Sequence, residues 1–432
     1  MRESAHKPDY RLLLAGDLHI GRSSSKVPDG VSPDLLRAAT AWERIVQAAI
    51  DENVNAVLLS GDVADAQNKF WEALGPLEAG IRRLTDHDIE TVAVAGNHDF
   101  DVLAKLANEL EGRFTLLGRN ETWERATLEN GSGPALHVDG WSFKARHVDR
   151  SPLEDYQHVA DPVIPTLGLV HGDLNLPDSH YAPLDQKQLE AAGPAAWLLG
   201  HVHKPQLTDG DVWILYPGSP QALDFGETGA HGAWVVEVCN GRVQRPIQVP
   251  LSSVWYEQLD VDVTGATSED ELRGEIKDAL NARSERIIST AGTALDQIVL
   301  RLRIHGNSPL AGTVADTLKE IENDLRLTFD TVTVTVDRAR SDLLPEIDLY
   351  EHAGQNSILG TVSSLLLELD KDKRSEAVEE LLEGARLEME KVRGKPDFLT
   401  LSGSRVEQGE VVNHLRQTGR ELLIQLLEQN DG

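Results

Sequence analysis

Short apolar runs alternate with longer amphipathic stretches through the first 250 residues. Segments 11–15, 56–60, 91–95, 167–170, 196–199, 212–216 and 233–238 read as strands, and several stop at a glycine or a polar motif. Between the first two, Leu35, Ala38, Trp42, Ile45 and Ala49 recur at steps of three and four residues. With Ser32 as N-cap and Pro33 at the first helical position, this spacing predicts a helix. Strands alternating with helices predict a layered α/β domain.

The rhythm changes at the stretch QVPLSS, residues 248–253. Beyond it, 255–263 reads as a strand, and Ser268 with Glu271 forms a capping box ahead of Leu272, Ile276 and Leu280. Ile298, Leu300, Leu302 and Ile304 alternate as a strand, and Ser308-Pro309 opens a helix through Val314, Leu318, Ile321 and Leu325. Val332, Val334 and Val336 alternate again. These elements predict a β-α-β-α-β unit of about 90 residues, large enough to fold separately. After Pro345 the strand signal disappears. Residues 365–392 predict one helical stretch with a charged centre, and Val411, Leu415, Leu422, Leu423, Leu426 and Leu427 form a second apolar stripe. Such stripes serve either as the core of their own domain or as a docking element for a partner helix or coiled coil. The expected organisation is thus 1–250, 251–344 and 345–432.

At 432 residues the chain is too long for one core. Its 71 Asp and Glu against 41 Lys and Arg give a formal charge of −30, with −15 on residues 1–250 and −15 on 251–432. That even spread suits a solubility adaptation better than an acidic tail, and it argues against nucleic acid if charge alone chose the partner. The longest nearly uncharged apolar run, 357–367, is far short of a membrane span, and the charged first 20 residues do not resemble a signal peptide. The single cysteine, Cys239, excludes an intramolecular disulfide and a Cys-rich metal site. A cytoplasmic protein without membrane association is expected.

Five polar motifs occur in order, each at or just after the end of a predicted strand: Gly16-Asp17-Leu18-His19, Gly61-Asp62 with Asp65, Gly96-Asn97-His98-Asp99, His171-Gly172 and Gly200-His201-Val202-His203. Loops at the carboxyl ends of strands in an α/β sheet share one rim, so these groups can converge. Carboxylate, amide oxygen and imidazole without thiolate suit Mn²⁺, Fe²⁺ or Zn²⁺. Two ions with four protein ligands each and one shared carboxylate need seven residues. Asp17, His19, Asp62, Asn97, His171, His201 and His203 are seven. Paired cations of this kind activate water and clamp phosphate oxygens, and the remaining His98 is available to stabilise the phosphorus centre or protonate the leaving oxygen.

The ordered set resembles the calcineurin-like metallophosphoesterase superfamily over residues 10–240. His171 followed by Tyr181-Ala182-Pro183, Leu198-Leu199-Gly200-His201-Val202-His203 and Tyr216-Pro217-Gly218-Ser219 resembles the SbcD/YhaO type of DNA repair exonuclease within it. The resemblance implies a β-sandwich-like α/β core flanked by helices, with a small α/β capping domain and C-terminal helices. It implies that Asp17, His19 and His203 hold one divalent ion, that Asn97, His171 and His201 hold the other, and that Asp62 bridges. The expected metal is Mn²⁺, with Fe²⁺ or Zn²⁺ as alternatives. His98 would face the phosphate, and Asp65 would orient its ring. DNA would be the substrate and an SbcC/YhaN-like coiled-coil ATPase the partner, with a homodimer open as the oligomeric state. If DNA is bound, a local basic strip or a basic partner must offset the charge of −30.

Any one motif alone is an ordinary strand end or turn, and their joint order is what points to catalysis. The other ten histidines, His87, His147, His180 and His231 among them, are expected at the surface or in hydrogen bonds. Arg22, Lys26, Arg37, Arg146 and Lys204 are read as solvated charges, with Lys204 best placed to meet a substrate because it follows His203. The alternative enzyme is a phosphodiesterase or phosphatase for small phosphoesters. A scaffold with a vestigial centre is the non-enzymatic alternative, and the complete donor set speaks against it.

Overall fold

The computed structural model describes residues 8–22, 27, 31–65, 70–110, 112–159, 161–345, 347–369, 371, 373–393 and 406–430. Lys26, Asp370 and Asp372, which entered the sequence reading, lie outside them. The chain divides into two compact units. One comprises Met1–Leu259, Leu280–Arg301 and Glu322–Arg338, and the other Asp260–Ala279, Leu302–Ile321 and Ala339–Gly432.

The first unit is built on two layered sheets. Strands β1 (Tyr10–Ala15), β2 (Ala56–Leu59), β3 (Glu90–Ala93) and β4 (Thr115–Leu116) run parallel in sequence order. The chain then leaves for a second sheet of β5 (Glu124–Asn130), β6 (Gly133–Trp141), β7 (Thr166–His171), β8 (Ala196–Gly200), β9 (Gln206–Thr208) and β10 (Trp213–Tyr216), ordered β5-β6-β7-β8-β10-β9. It returns through β11 (Gly232–Cys239), antiparallel to β1, with β12 (Arg242–Val243) and β13 (Ile247–Pro250) beside β11.

The two-residue period of a strand explains the layering. Leu12, Leu14, Leu58 and Val92 meet Leu136, Leu167, Leu198 and Leu215 in one core between the sheets. Their neighbours Leu13, Val57 and Leu59 face helices α1 (Ala38–Asp51), α2 (Phe70–Asp86) and α3 (Val102–Glu109) in a second core. Trp141, Val170, Trp197 and Ile214 form a third on the outer face of the other sheet, where α4 (Gln186–Ala191) packs Leu189. Strands buried on both faces that read as near-continuous apolar runs are legible in the sequence, whereas β6, equally buried, is not, because His137 and Asp139 interrupt its apolar run.

The predicted first helix is divided. Pro33–Leu36 forms a 3-10 turn after Ser32, Arg37 is extended at ψ 131°, and α1 starts at Ala38. Helix α2 has no clear sequence signal, since it contains Gly75, Pro76 and Gly80. Gly80 lets α2 approach α1: a Cβ there would lie 2.2 Å from Trp42 Nε1, which donates to the Pro76 carbonyl at 3.0 Å.

A third sheet has the order β14-β15-β17-β16, from β14 (Val254–Asp262), β15 (Gln297–Asn307), β16 (Arg326–Phe329) and β17 (Val332–Leu344). It carries one strand more than predicted, because β16 is half-exposed and lacks a clear apolar alternation. Its helices are α5 (Glu269–Ala291) and α6 (Val314–Asp324), and the division between the two units falls within α5, α6, β14, β15 and β17. The capping box is shifted. Ser268 Oγ accepts from Glu271 N, but Glu271 returns its bond to Thr267 N at 2.8 Å.

In the second unit, α7 (Leu349–Ala353), α8 (Ile358–Leu369), α9 (Glu376–Arg393) and α10 (Gln408–Asn430) bury Leu359, Leu366, Val378, Leu382, Val411 and Leu423 in a core of their own. The stretch predicted as one helix over 365–392 is two. The Leu369 carbonyl ends α8 by accepting from the Arg374 guanidinium at 2.9 Å, and Ser375 starts α9. No helix among the described residues is long and apolar enough to cross a membrane.

Candidate metal centre

Parallel strands β1, β2 and β3 end side by side, and so do β7 and β8. The polar motifs follow those ends, so the topology gathers all of them. Asp17, His19, Asp62, Asn97 and His171 are 4% exposed or less. The sharp turns fall on the candidate ligands themselves: φ is 50° at Asp17, 49° at His19, 49° at Asp62 and 108° at His201. Left-handed backbone at a non-glycine residue costs of order 1–3 kcal/mol and persists only where neighbours enforce it. Here Asp17 N bonds Gly61 O at 3.1 Å, His19 N bonds Asp62 O at 2.9 Å, and His201 N bonds Asp17 Oδ1 at 3.0 Å. Gly96 and Gly200 serve close approach instead, since a Cβ would stand 2.2 Å from Asp62 Oδ1 and 2.0 Å from Ser60 O respectively.

The donor atoms of Asp17, His19 and His203 lie within 4.8 Å of one another, as do those of Asp62, His171 and His201. Asn97 joins the second group, its Oδ1 3.0 Å from His171 Nε2 and 3.2 Å from His201 Nδ1. In the first group His19 Nε2 and His203 Nε2 face each other at 3.1 Å. Asp62 Oδ2 sits between the groups, 3.7 Å from His19 Nε2 and 3.5 Å from His171 Nε2. His98 stands beside them, its ring edge-on to that of His19 at 4.8 Å, with Nδ1 3.3 Å from Asp65 Oδ1. Asp65 also faces His19 Nδ1 at 3.5 Å. All nine predicted site residues are therefore brought together.

Electrostatics fit a cationic occupant. Burial, with the charge of Asp62 beside it, pushes the Asp17 carboxyl up to about 6. Burial would raise Asp62 too, but His171, His19 and His98 outweigh it and hold that carboxyl below its ordinary value. Burial lowers His171, and burial together with His171 lowers His201, so both rings favour the neutral, lone-pair-bearing form. Two buried carboxylates, an amide oxygen and imidazoles, of which burial holds His171 and His201 neutral while against burial Glu227 and Asp17 raise His203, match the donors that hard divalent cations take.

Several residues at the site escape a reading of the sequence. Glu227 lies 2.8 Å from His203 Nδ1, Asp173 lies 3.5 Å from His201 Nε2, and the Ser60 carbonyl accepts from His171 Nδ1 at 3.0 Å. Asp99, fully buried, accepts from Gly96 N and Val63 N at 2.7 Å each and so ties the second motif to the third. Asp99 and Asp173 sit inside or beside recognised motifs, whereas Glu227 has no local signal. His231 is buried against the Ser219 carbonyl, and Arg37 pairs with Asp34 at the surface.

Residues 10–205 match the calcineurin-like phosphoesterase family, and residues 256–343 match the middle domain of metallophosphoesterase YhaO. The chain carries a calcineurin-like phosphoesterase domain. That family works with a dinuclear divalent-metal centre and hydrolyses phosphoesters, and the two donor groups of this phosphoesterase domain are its candidate ligands. Over 280 residues the chain is 28% identical to the uncharacterized metallophosphoesterase YhaO of Bacillus subtilis, covering 63% of this chain and 68% of that protein. It is 27% identical over 277 residues to the DNA double-strand break repair protein Mre11 of Haloferax volcanii, covering 62% and 58%. A Halobacterium salinarum protein of the same description is 29% identical over 232 residues, and the chain spans 56% of its length. Among solved structures, TT1561 of Thermus thermophilus aligns at a TM-score of 0.34 and 16% identity, covering 54% of this chain and 97% of that one.

Proposed function

We propose that this chain is a two-metal-dependent DNA nuclease, exonucleolytic in its main activity and acting in DNA repair. In this reading Asp17, His19 and His203 hold one cation, Asn97, His171 and His201 hold the other, and Asp62 is shared. Mn²⁺ is the first expectation, with Fe²⁺ or Zn²⁺ as the alternatives that the same donors accept. The observation that carries the reading is the position of Asp62 Oδ2, at 3.5–3.7 Å from a histidine of each group. When bound, the cations supply Lewis acidity that acidifies a water and neutralises charge on the phosphate oxygens. Asp65, held well below the usual carboxylate range by His19 and His98 against the opposing effect of burial, keeps a negative charge at His98 Nδ1. That contact raises His98, which keeps a proton for the departing oxygen.

One observation favours a polynucleotide over a small phosphoester: relatives named for DNA double-strand break repair align over 62% and 52% of the chain. A cavity of about 770 Å³ in the first unit does not add to it, because Asp224, Glu322 and Asp337 line it beside Arg301 and Arg326, and Asp337 pairs with Arg301 at 2.8 Å. The organisation proposed is a nuclease domain over 1–250, a capping domain over 251–344 and a partner-docking region over 345–432. The partner would be an SbcC/YhaN-like coiled-coil ATPase.

The test compares a labelled DNA duplex with a small chromogenic phosphodiester after Mn²⁺ loading, for the native protein and His98→Ala. Cleavage of DNA that falls by about 10²-fold or more in the variant, with both cations retained, is the expected result. Hydrolysis of the small diester alone would reject DNA as substrate, and loss of metal from His98→Ala would reject its non-ligand role. For the partner, the tagged 432-residue chain is expected to capture a coiled-coil ATPase from its host, and a chain ending at Leu344 to lose it. Equal capture by both would reject docking through 345–432.

A further inference from the structure

Glu227 lies outside every polar motif and outside the matched phosphoesterase segment, yet it is 8% exposed and both of its oxygens are engaged. Oε1 lies 2.8 Å from His203 Nδ1. Oε2 accepts from Ser219 Oγ at 3.0 Å and from Leu223 N at 2.9 Å. Ser219 N in turn donates to the His203 carbonyl at 2.8 Å, so the 219–227 loop grips His203 by backbone and ring. A carboxylate only accepts, which places the imidazole proton on Nδ1 and leaves the lone pair on Nε2. It is Nε2 that faces His19 Nε2 at 3.1 Å.

We propose that Glu227 is a positioning residue that fixes the tautomer and orientation of His203, presenting its Nε2 lone pair to the Asp17–His19 group. The proposal rests on the two-cation reading of that group. The other histidines have weaker or uncharged backing at their outer nitrogens: the Ser60 carbonyl for His171, Asp173 at 3.5 Å for His201, Asp65 at 3.5 Å for His19. His203 is the one held by a short carboxylate contact. Partners of this kind commonly change metal affinity by about 10- to 100-fold when removed.

The hydrogen-bond geometry gives a directional test. In Glu227→Gln, the Leu223 N–H cannot reverse its polarity, whereas the Ser219 hydroxyl can rotate. The amide oxygen therefore turns to Leu223 and the NH₂ to His203, which forces Nδ1 to accept and moves the ring proton to Nε2. The experiment records ¹⁵N-histidine long-range NMR spectra of the metal-free protein over a pH series, read above the raised His203 value where the ring is neutral, with His203 assigned by His203→Gln, alongside Mn²⁺ titration by calorimetry and elemental analysis. The expected result is an Nδ1–H tautomer in the native protein and an Nε2–H tautomer in Glu227→Gln. One of two Mn²⁺ sites should be weakened about 10- to 100-fold in Glu227→Gln and in Glu227→Ala. An Nε2–H tautomer in the native protein overturns the proposal, even if both variants fail to fold. So does native-like binding of two Mn²⁺ by a folded Glu227→Gln. Native protein that takes up no Mn²⁺ pair defeats the two-cation reading, while its His203 tautomer still decides the role of Glu227.

Discussion

The rim of the sandwich and the C-terminal helices handle charge in opposite ways. At the rim, Asp17 and Asp62 are 1% and 2% exposed, crowd together, and sit on left-handed backbone. In α9, Arg386 pairs with Glu383 and Glu390 at 2.6 and 2.7 Å, and Lys391 with Glu388 at 2.5 Å, along the helix surface in water. Among the described residues beyond Asp330 no non-glycine residue adopts a positive φ. The helices are locally consistent, with an apolar face inward and i, i+3 or i, i+4 pairs outward. The rim is locally inconsistent, and it persists because the sheets on either side enforce it. Such conflict marks the place where geometry is kept for chemistry at a cost in stability.

Substitutions sharpen that contrast, the largest effect first. Asp62→Ala is expected to lower Mn²⁺ occupancy at both positions and phosphodiester hydrolysis by about 10⁴-fold, the loss of several kcal/mol of electrostatic stabilisation. Its metal-free melting midpoint should fall, because His171, His19 and His98 hold this carboxylate below its ordinary value and His98 N donates to it at 2.9 Å. Metal analysis and calorimetric melting of one preparation check both halves, and unchanged metal content would remove Asp62 as the shared ligand.

Asp139 is a buried charge outside the donor groups, and it serves the fold alone. It receives Arg125 at 2.7 and 2.8 Å and the Tyr156 hydroxyl at 2.7 Å, with His158 Nδ1 at 3.0 Å. Burial would raise its carboxyl, but Arg125, Tyr156 and His158 outweigh it and lower the value. Asp139→Asn should cost about 2–3 kcal/mol, since Arg125 loses its counter-charge but keeps some access to water. The sign of the pH dependence follows from a depressed folded value. The contribution is present above the unfolded value of about 3.9 and is lost as pH falls through the lower folded value. Denaturant melts of the two proteins should therefore differ by a constant amount from pH 8 to about 5 and converge in stronger acid.

The smallest effect belongs to the helices. Arg386→Ala should leave the melting midpoint unchanged within error, because exposed pairs of this kind are screened by water and salt. A large shift would show that α9 depends on its surface network rather than on Val378 and Leu382.

Much of this is legible in the chain. Most strands buried on both faces stand out as apolar runs, and each functional motif begins where such a run ends. Elements that hide are those whose local signal opposes their state. Helix α2 carries Gly75, Pro76 and Gly80 and is held by its packing on Trp42. The edge strand β5, ERATLEN, buries only Leu128 fully and pairs with β6 through its backbone. The break between α8 and α9 depends on Arg374 folding back to the Leu369 carbonyl, a contact that residue identity alone does not announce.

Residue identity and order along the chain thus specify the candidate donor set and the alternation that puts each candidate at a strand end. Those follow from side-chain chemistry and from periods of two and 3.6 residues, which are local properties. Only the folded arrangement turns a particular nitrogen of each histidine toward the cluster, puts Asp62 between the two groups, and brings Glu227 to His203 across 24 residues. These depend on distances between strands that meet only when the two sheets close on a common core.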